Sequence, residues 1–164
     1  MHLELRTETA EDTRRVGVAL AALLEPRDAV ALTGELAAGK TTFAQGVARG
    51  LGVVEQVISP TFTLVREYRG RLRLAHVDVY RLEHVQDVVD LGLEELGDEA
   101  VLLVEWGDAI DALLPADHLV VEIAPVDPSG DSQARRVLLS AHGASWLGRW
   151  EHLEQALEPW RIAA

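Results

Sequence analysis

"DAVALTGELAAGKTTF", residues 28–43, decides the fold class. Its first seven residues are a short apolar run bounded by polar residues and glycine, the pattern of a buried, parallel strand. Its last four open a segment, residues 40–52, that reads as a helix stopped by Gly50 and Gly52. Between strand and helix, Gly34, Gly39, Lys40 and Thr41 fit G-x-x-x-x-G-K-[ST], the pattern of a phosphate-binding loop in the setting that loop requires. The glycines allow a tight turn whose N–H groups converge on phosphate oxygens. The helix start adds its positive dipole end. The amides of residues 37–42 (Ala37, Ala38, Gly39, Lys40, Thr41, Thr42) form the predicted cradle. Lys40 reaches the outer phosphates, and the Thr41 hydroxyl is a ligand for Mg²⁺.

Lys40 is the one lysine among 15 basic side chains; the other 14 are arginine. An ammonium is a compact charge that fits a closed ring of amides, where the planar guanidinium fork does not. The arginine bias stops where geometry forbids it. The competing reading, a glycine-rich turn with an exposed lysine, leaves this exception unexplained.

Outward from the loop, residues 9–24 read as a helix, with Thr9 and Asp12 close to a capping box and Val16, Leu20, Leu23 and Leu24 at helical spacing. Residues 53–62 read as a loop. Residues 61–68 and 71–80 flank "RG" as a hairpin, and Leu72 and Leu74 alternating with Arg71 and Arg73 give a half-exposed strand pattern. A helical acidic segment, residues 83–97, precedes a second apolar strand at 100–106 and a short helix at 108–115 ended by Pro115. Residues 118–126 and 134–142 read as two late strands. Residues 145–160 read as one amphipathic helix carrying Trp146, Trp150, Leu153 and Leu157. Strands interleave with helices without repeats or a linker, so the class is α/β around a central sheet, in one domain spanning residues 1–164.

The chain has 164 residues, 48% of them hydrophobic, enough to bury a sizeable core. It has no cysteine, which excludes a disulfide scaffold, a thiolate metal site and a cysteine nucleophile. The first residues are charged and lack an apolar signal core, and no run approaches the ~18 apolar residues of a membrane span. A cytoplasmic protein without membrane attachment is expected. The formal net charge of −12 keeps such a chain soluble and argues against a stand-alone nucleic-acid binder, which needs a basic surface.

Phosphate-loop enzymes need an acid that orients Mg²⁺ or the attacking water, usually at the end of a neighbouring strand. Asp78 ends "RLRLAHVD" and Glu105 ends "AVLLVE", and both follow strands expected to lie beside the phosphate-loop strand. Each alone could be a helix cap or a surface charge; two beside a phosphate loop point to the site. His76 reads as a base, a ligand or, with no second histidine at metal spacing, a structural residue. Ser59-Pro60-Thr61 reads either as a plain turn or as a loop that orders around a γ-phosphate. Tyr80-Arg81 reads as a cation brought toward the transferring phosphate or as a solvated arginine. Trp146, Trp150 and Trp160 read as core or partner surface.

Together "TAEDTRRVG" (9–17), "GELAAGKTTF" (34–43), "SPTFTLVREY" (59–68), "HVDVYRL" (76–82), "DLGLEE" (90–95) and "VEWGD" (104–108) resemble the bacterial TsaE (YjeE) family, in order and spacing, over about residues 5–115. The part beyond Ala116 matches loosely, as two strands with Arg135 in the second. The resemblance implies a three-layer P-loop NTPase-like fold, with a central mixed, mostly parallel sheet flanked by helices. It implies ATP binding and slow hydrolysis, with Thr41 and Glu105 on Mg²⁺ and Asp78 near the γ-phosphate as a catalytic or water-positioning acid. Residues 59–63 would act as a switch-like loop, and Thr9 and Arg135 would lie near the nucleotide base. It further implies work with the TsaB–TsaD complex in threonylcarbamoyladenosine modification of tRNA. The partners would grip the tRNA, and this chain would reset the complex between turnovers.

Two departures stand out. Ala37 replaces a glycine usual in the family, and a residue other than glycine at positive φ costs about 1–2 kcal/mol; the loop is still expected to form, with Ala37 in an allowed region. Asp108 stands where many members carry glutamate, and receives no catalytic role. From the residues alone, two rivals stay open. A small-molecule kinase lacks its usual arginine-rich lid here. A nucleotide-dependent binding module would need the same ATP site without meaningful hydrolysis.

Overall fold

The computed structural model describes residues 1–60, 65–79, 92–105, 111 and 114–163. Seven strands form one sheet: β1 (His2–Thr7), β2 (Ala29–Thr33), β3 (Val65–Arg69), β4 (Arg73–Asp78), β5 (Val101–Glu105), β6 (His118–Pro125) and β7 (Arg135–His142). Their order is β1-β7-β6-β2-β5-β4-β3. β2 pairs in parallel with β5 and β6, and β4 with β5; the pairs β1–β7, β6–β7 and β3–β4 are antiparallel. All strands but β3 and β7 therefore run one way. The expected mostly parallel sheet holds for strand direction, while half of the pairings are antiparallel. The carboxyl ends of β2, β4 and β5 meet at one edge, the place where open α/β sheets bind ligands.

Helices cover both faces. On one face lie α1 (Ala10–Ala21), α2 (Lys40–Gly50), α4 (Ala144–Gly148) and α5 (Trp150–Leu157). Val16, Leu20, Phe43, Val47, Trp146 and Leu153 pack there against Val30, Leu32, Leu103 and Val121 of the sheet. Leu93 of α3 (Leu93–Glu99) joins Ala75, Val77, Leu102 and Val104 in a smaller cluster on the other face. The period of two along each strand sends alternate side chains to the two clusters. Near their crossing, α1 and α2 come close enough that a Cβ on Gly46 would sit 2.0 Å from the Arg14 carbonyl oxygen. This contact fixes α2, and with it the phosphate loop at its start.

The expected strands at 28–34, 100–106, 118–126 and 134–142 and the helices at 9–24 and 40–52 are present with shortened ends. The helix expected at 83–97 coincides with described residues only at its end, where α3 begins at Leu93; residues 80–91 lie outside the described residues, as does most of the helix expected at 108–115. Three readings change. Residues 2–7, given no element from the sequence, form edge strand β1, with Leu3, Leu5 and Thr7 buried in alternation. β4 is buried from Leu74 to Asp78, because it lies between β3 and β5 and is covered on both faces; the half-exposed pattern ends at Arg73. The single helix expected at 145–160 breaks at Arg149 (φ −103°, ψ 1°) into α4 and α5, followed by a 3₁₀ turn, Glu158–Trp160. Arg149 leaves the helical path to bind Asp28. Trp146 and Trp150 are core residues, and Trp160 is partly buried against the same core cluster.

Candidate functional site

β2 ends at Thr33 and the chain turns at Gly34, whose φ is +140°. A Cβ there would stand 2.3 Å from the Ile123 carbonyl oxygen of the neighbouring strand, so glycine is required for space as well as conformation. The Ala38 amide donates to the Glu35 carbonyl (3.1 Å) and closes the turn. Ala37 sits at φ +63°, inside the small left-handed region open to L-residues. The loop forms with Ala37 at positive φ, a conformation costly for a residue other than glycine. Gly39, at φ +115°, precedes Lys40, the first residue of α2.

Lys40 is 6% exposed. Its Nζ donates to the carbonyls of Gly34 (2.7 Å) and Glu35 (2.8 Å), so the ammonium spans the loop it belongs to. Thr41 Oγ1 donates to Glu105 Oε1 at 3.0 Å, across from α2 to the end of β5. Thr42 is half-buried beside it. The hydroxyl and the carboxylate are hard oxygen donors at one point, the donor set that suits Mg²⁺. Thr41, Glu105 and the loop therefore fit a nucleotide with its cation.

Asp78 is the register partner of Glu105 at the adjoining ends of β4 and β5, and both are buried, at 4% and 2% exposure. The two acids singled out from the sequence lie beside each other, but only one strand is where it was expected: β5 adjoins β2 and Glu105 reaches Thr41, whereas β4 is separated from β2 by β5, so Asp78 stands one strand further out. His76, two residues before Asp78 on the same strand, is fully buried. Its Nε2 lies 3.4 Å from Glu105 Oε2, yet among the described residues neither ring nitrogen makes an aligned hydrogen bond. Such a buried polar group costs about 1–3 kcal/mol where a leucine would not.

Arg135 braces the loop from the far side. Its Nε donates to the Ala38 carbonyl (2.7 Å), and Nη1 donates to the carbonyls of Ser132 (2.9 Å) and Ala134 (3.0 Å). Thr9 is the N-cap of α1, its hydroxyl accepting from the Asp12 amide at 3.1 Å. The Ala10 amide reaches Gln133 Oε1 at 3.2 Å, and Thr7 pairs in register with Arg135. Arg135 thus touches the loop directly, while Thr9 is two residues beyond Thr7, the register partner of Arg135. The brace on Ala38 was invisible in the sequence, because residues 38 and 135 meet only through the sheet order. Gln45 was missed too; its side-chain amide donates to the Val57 carbonyl (3.1 Å) and ties α2 to the segment leading to Ser59-Pro60. Thr61, Thr63, Tyr80, Arg81, Trp106 and Asp108 lie outside the described residues.

A groove of about 780 Å³ opens on the opposite face of the β2 and β6 ends, lined by Thr33, Gly34, Glu35, Glu122 and Pro125 among others. Among the described residues its lining carries two carboxylates and no basic side chain, which does not suit phosphate.

A profile of the family described as threonylcarbamoyl adenosine biosynthesis protein TsaE matches residues 7–136, and so reaches past Ala116 to include Arg135. The tRNA threonylcarbamoyladenosine biosynthesis protein TsaE of Treponema pallidum is 46% identical over 118 residues, covering 71% of this chain and 87% of its own. That of Bacillus subtilis is 42% identical over 143 residues, covering 86% and 87%. A crystal structure of Bacillus subtilis YdiB superposes with a TM-score of 0.77 at 35% identity, covering 97% of this chain and 95% of that one.

Proposed function

The chain belongs to the TsaE family, and from that premise we propose that residues 1–164 act as a single P-loop ATPase domain that binds ATP with Mg²⁺ and hydrolyses it slowly to support turnover of the tRNA threonylcarbamoyladenosine machinery. One observation carries the reading: the Thr41–Glu105 hydrogen bond at the mouth of a loop spanned by Lys40, with Asp78 paired to Glu105. In it the amides of residues 37–42 hold the phosphates, and Lys40 exchanges its loop carbonyls for β- and γ-oxygens. Thr41 and Glu105 hold Mg²⁺, which supplies neutralisation of charge developing on the phosphates. Asp78 aligns water with the γ-phosphate. The chain's contribution is electrostatic and positional.

Thr9 and Arg135 border the base end, with Arg135 acting first on the loop backbone through Ala38. Partners are the TsaB–TsaD complex, and tRNA is reached through them, which agrees with a net charge of −12. The place of action is the cytoplasm; no helix among the described residues is long and apolar enough to cross a membrane.

ATP hydrolysis by the purified chain, alone and with TsaB–TsaD, beside Lys40→Ala, tests this. Stimulation by the partners that vanishes in Lys40→Ala is expected. Lys40-dependent ATP binding without stimulation would sink the partner assignment, and phosphate passed to a metabolite instead of water would sink hydrolysis.

A further inference from the structure

His76 is a buried group that the proposed chemistry does not use. It occupies the middle of a strand between Leu74 and Asp78 on the core-facing side, where an aliphatic side chain would pack without an unmet polar atom. Both ring nitrogens lack an aligned partner among the described residues. Among the described residues, Nε2 has one group within ion-pair distance, Oε2 of Glu105 at 3.4 Å. The other oxygen of that carboxylate, Oε1, already accepts from Thr41. Glu105 therefore stands between a hydroxyl on α2 and an imidazole on β4, and rotation about its terminal bond would break both contacts.

We propose that His76 is a positioning residue for the cation site: its Nε2–H holds Oε2 of Glu105, so that the carboxylate stays turned toward Thr41 and the end of the phosphate loop. Groups that orient a metal-binding carboxylate act through it and set its affinity without touching the metal. Contacts of this kind are often long in an empty site and tighten when the site fills. The inference rests on the reading of Thr41 and Glu105 as the cation-holding pair, and the experiment separates the two.

The full chain is compared with His76→Phe, His76→Gln, Glu105→Gln and the double variant His76→Phe/Glu105→Gln. Anisotropy of a fluorescent ATP analogue is read in EDTA and across a Mg²⁺ titration, with thermal unfolding alongside. His76→Phe removes the donor and keeps the ring volume. It is expected to leave binding in EDTA unchanged and to raise the Mg²⁺ concentration for half-maximal effect about 10–100-fold. His76→Gln, whose amide nitrogen reaches the place of Nε2, is expected to recover most of that loss. In the Glu105→Gln background His76→Phe should add little, because its route to the cation is gone. A His76→Phe chain with unchanged Mg²⁺ dependence, while Glu105→Gln is weakened, overturns the inference and keeps the cation reading. Equal losses in EDTA and Mg²⁺ also overturn it, leaving a packing role. A parent chain indifferent to Mg²⁺ overturns both. Should the phenylalanine variant fail to fold, His76→Asn, which keeps polarity but draws the donor back, replaces it; the same shift is expected, and its absence overturns the inference.

Discussion

The two ends of β2 both bury charge, and they treat it in opposite ways. Before the strand, Asp28 meets Arg149: Nη1 and Nη2 donate to its two oxygens at 2.8 Å each. The remaining guanidinium protons go to the Leu23 carbonyl, Ser145 Oγ and the Ser145 carbonyl, and Trp146 lies 4.0 Å beneath the cation. All five donors of that arginine are used. After the strand, Lys40 rests on carbonyls of its own loop, which includes a left-handed Ala37, Thr41 rests on Glu105, and His76 has no aligned partner among the described residues. The first end is closed and serves stability. The second holds its charges on contacts that a ligand can replace, at some expense of stability. Five residues of one strand separate a structural anchor from a site.

The sharpest way to break this comparison is Arg149→Ala. Removing the half-buried arginine leaves the buried Asp28 carboxylate without its partner at a cost of about 1–3 kcal/mol, so the melting temperature should fall by roughly 2–12 °C. Nucleotide affinity measured well below the transition should not move; a parallel loss would mean that the two ends are coupled. Asp78→Ala tests the other end. Partner-stimulated hydrolysis should drop about 10²–10⁴-fold with ATP still bound, and an unchanged rate would remove Asp78 from the mechanism.

Ala37→Gly probes the strain. Relief of about 1–2 kcal/mol is offset by about 0.4–1 kcal/mol of added freedom in the unfolded chain. A net gain near 1 kcal/mol in chemical unfolding is expected, with ATP binding improved less than about tenfold. Tighter binding than that would mean that the strain sits mainly in the bound state.

Glu11→Gln gives the smallest effect. A hydrogen bond from Arg49 holds the Glu11 carboxyl below its ordinary value of 4.5. A depressed folded-state value adds stability above the unfolded value and loses it as the pH falls through the folded one. Glu11→Gln should therefore flatten the acid limb of stability slightly below pH 4.5. High salt should erase the difference, since both side chains are about half exposed.

Much of the site was legible because phosphate binding is local. Strand, glycine turn, lysine and helix start are consecutive, and the sole lysine marked the place. The acids were legible as strand ends. The brace from Arg135 to Ala38 was not, nor the pairing of Asp78 with Glu105, because pattern within one strand says nothing about its neighbour. β1 was overlooked although His2–Thr7 alternates, since charges masked a signal only three buried residues deep. The C-terminal break was unreadable for a related reason: Arg149 leaves the helix to reach an acid 121 residues away.

The sequence by itself determined the α/β class, the phosphate loop and the residue types at its rim, because backbone geometry and short-range periodicity set these within a few consecutive residues. The tertiary structure alone decided which strands adjoin, and so which buried charges are closed into a network and which are left for a ligand. Burial and hydrogen-bond satisfaction depend on what faces a side chain across the sheet, and that is fixed only when the whole chain has packed.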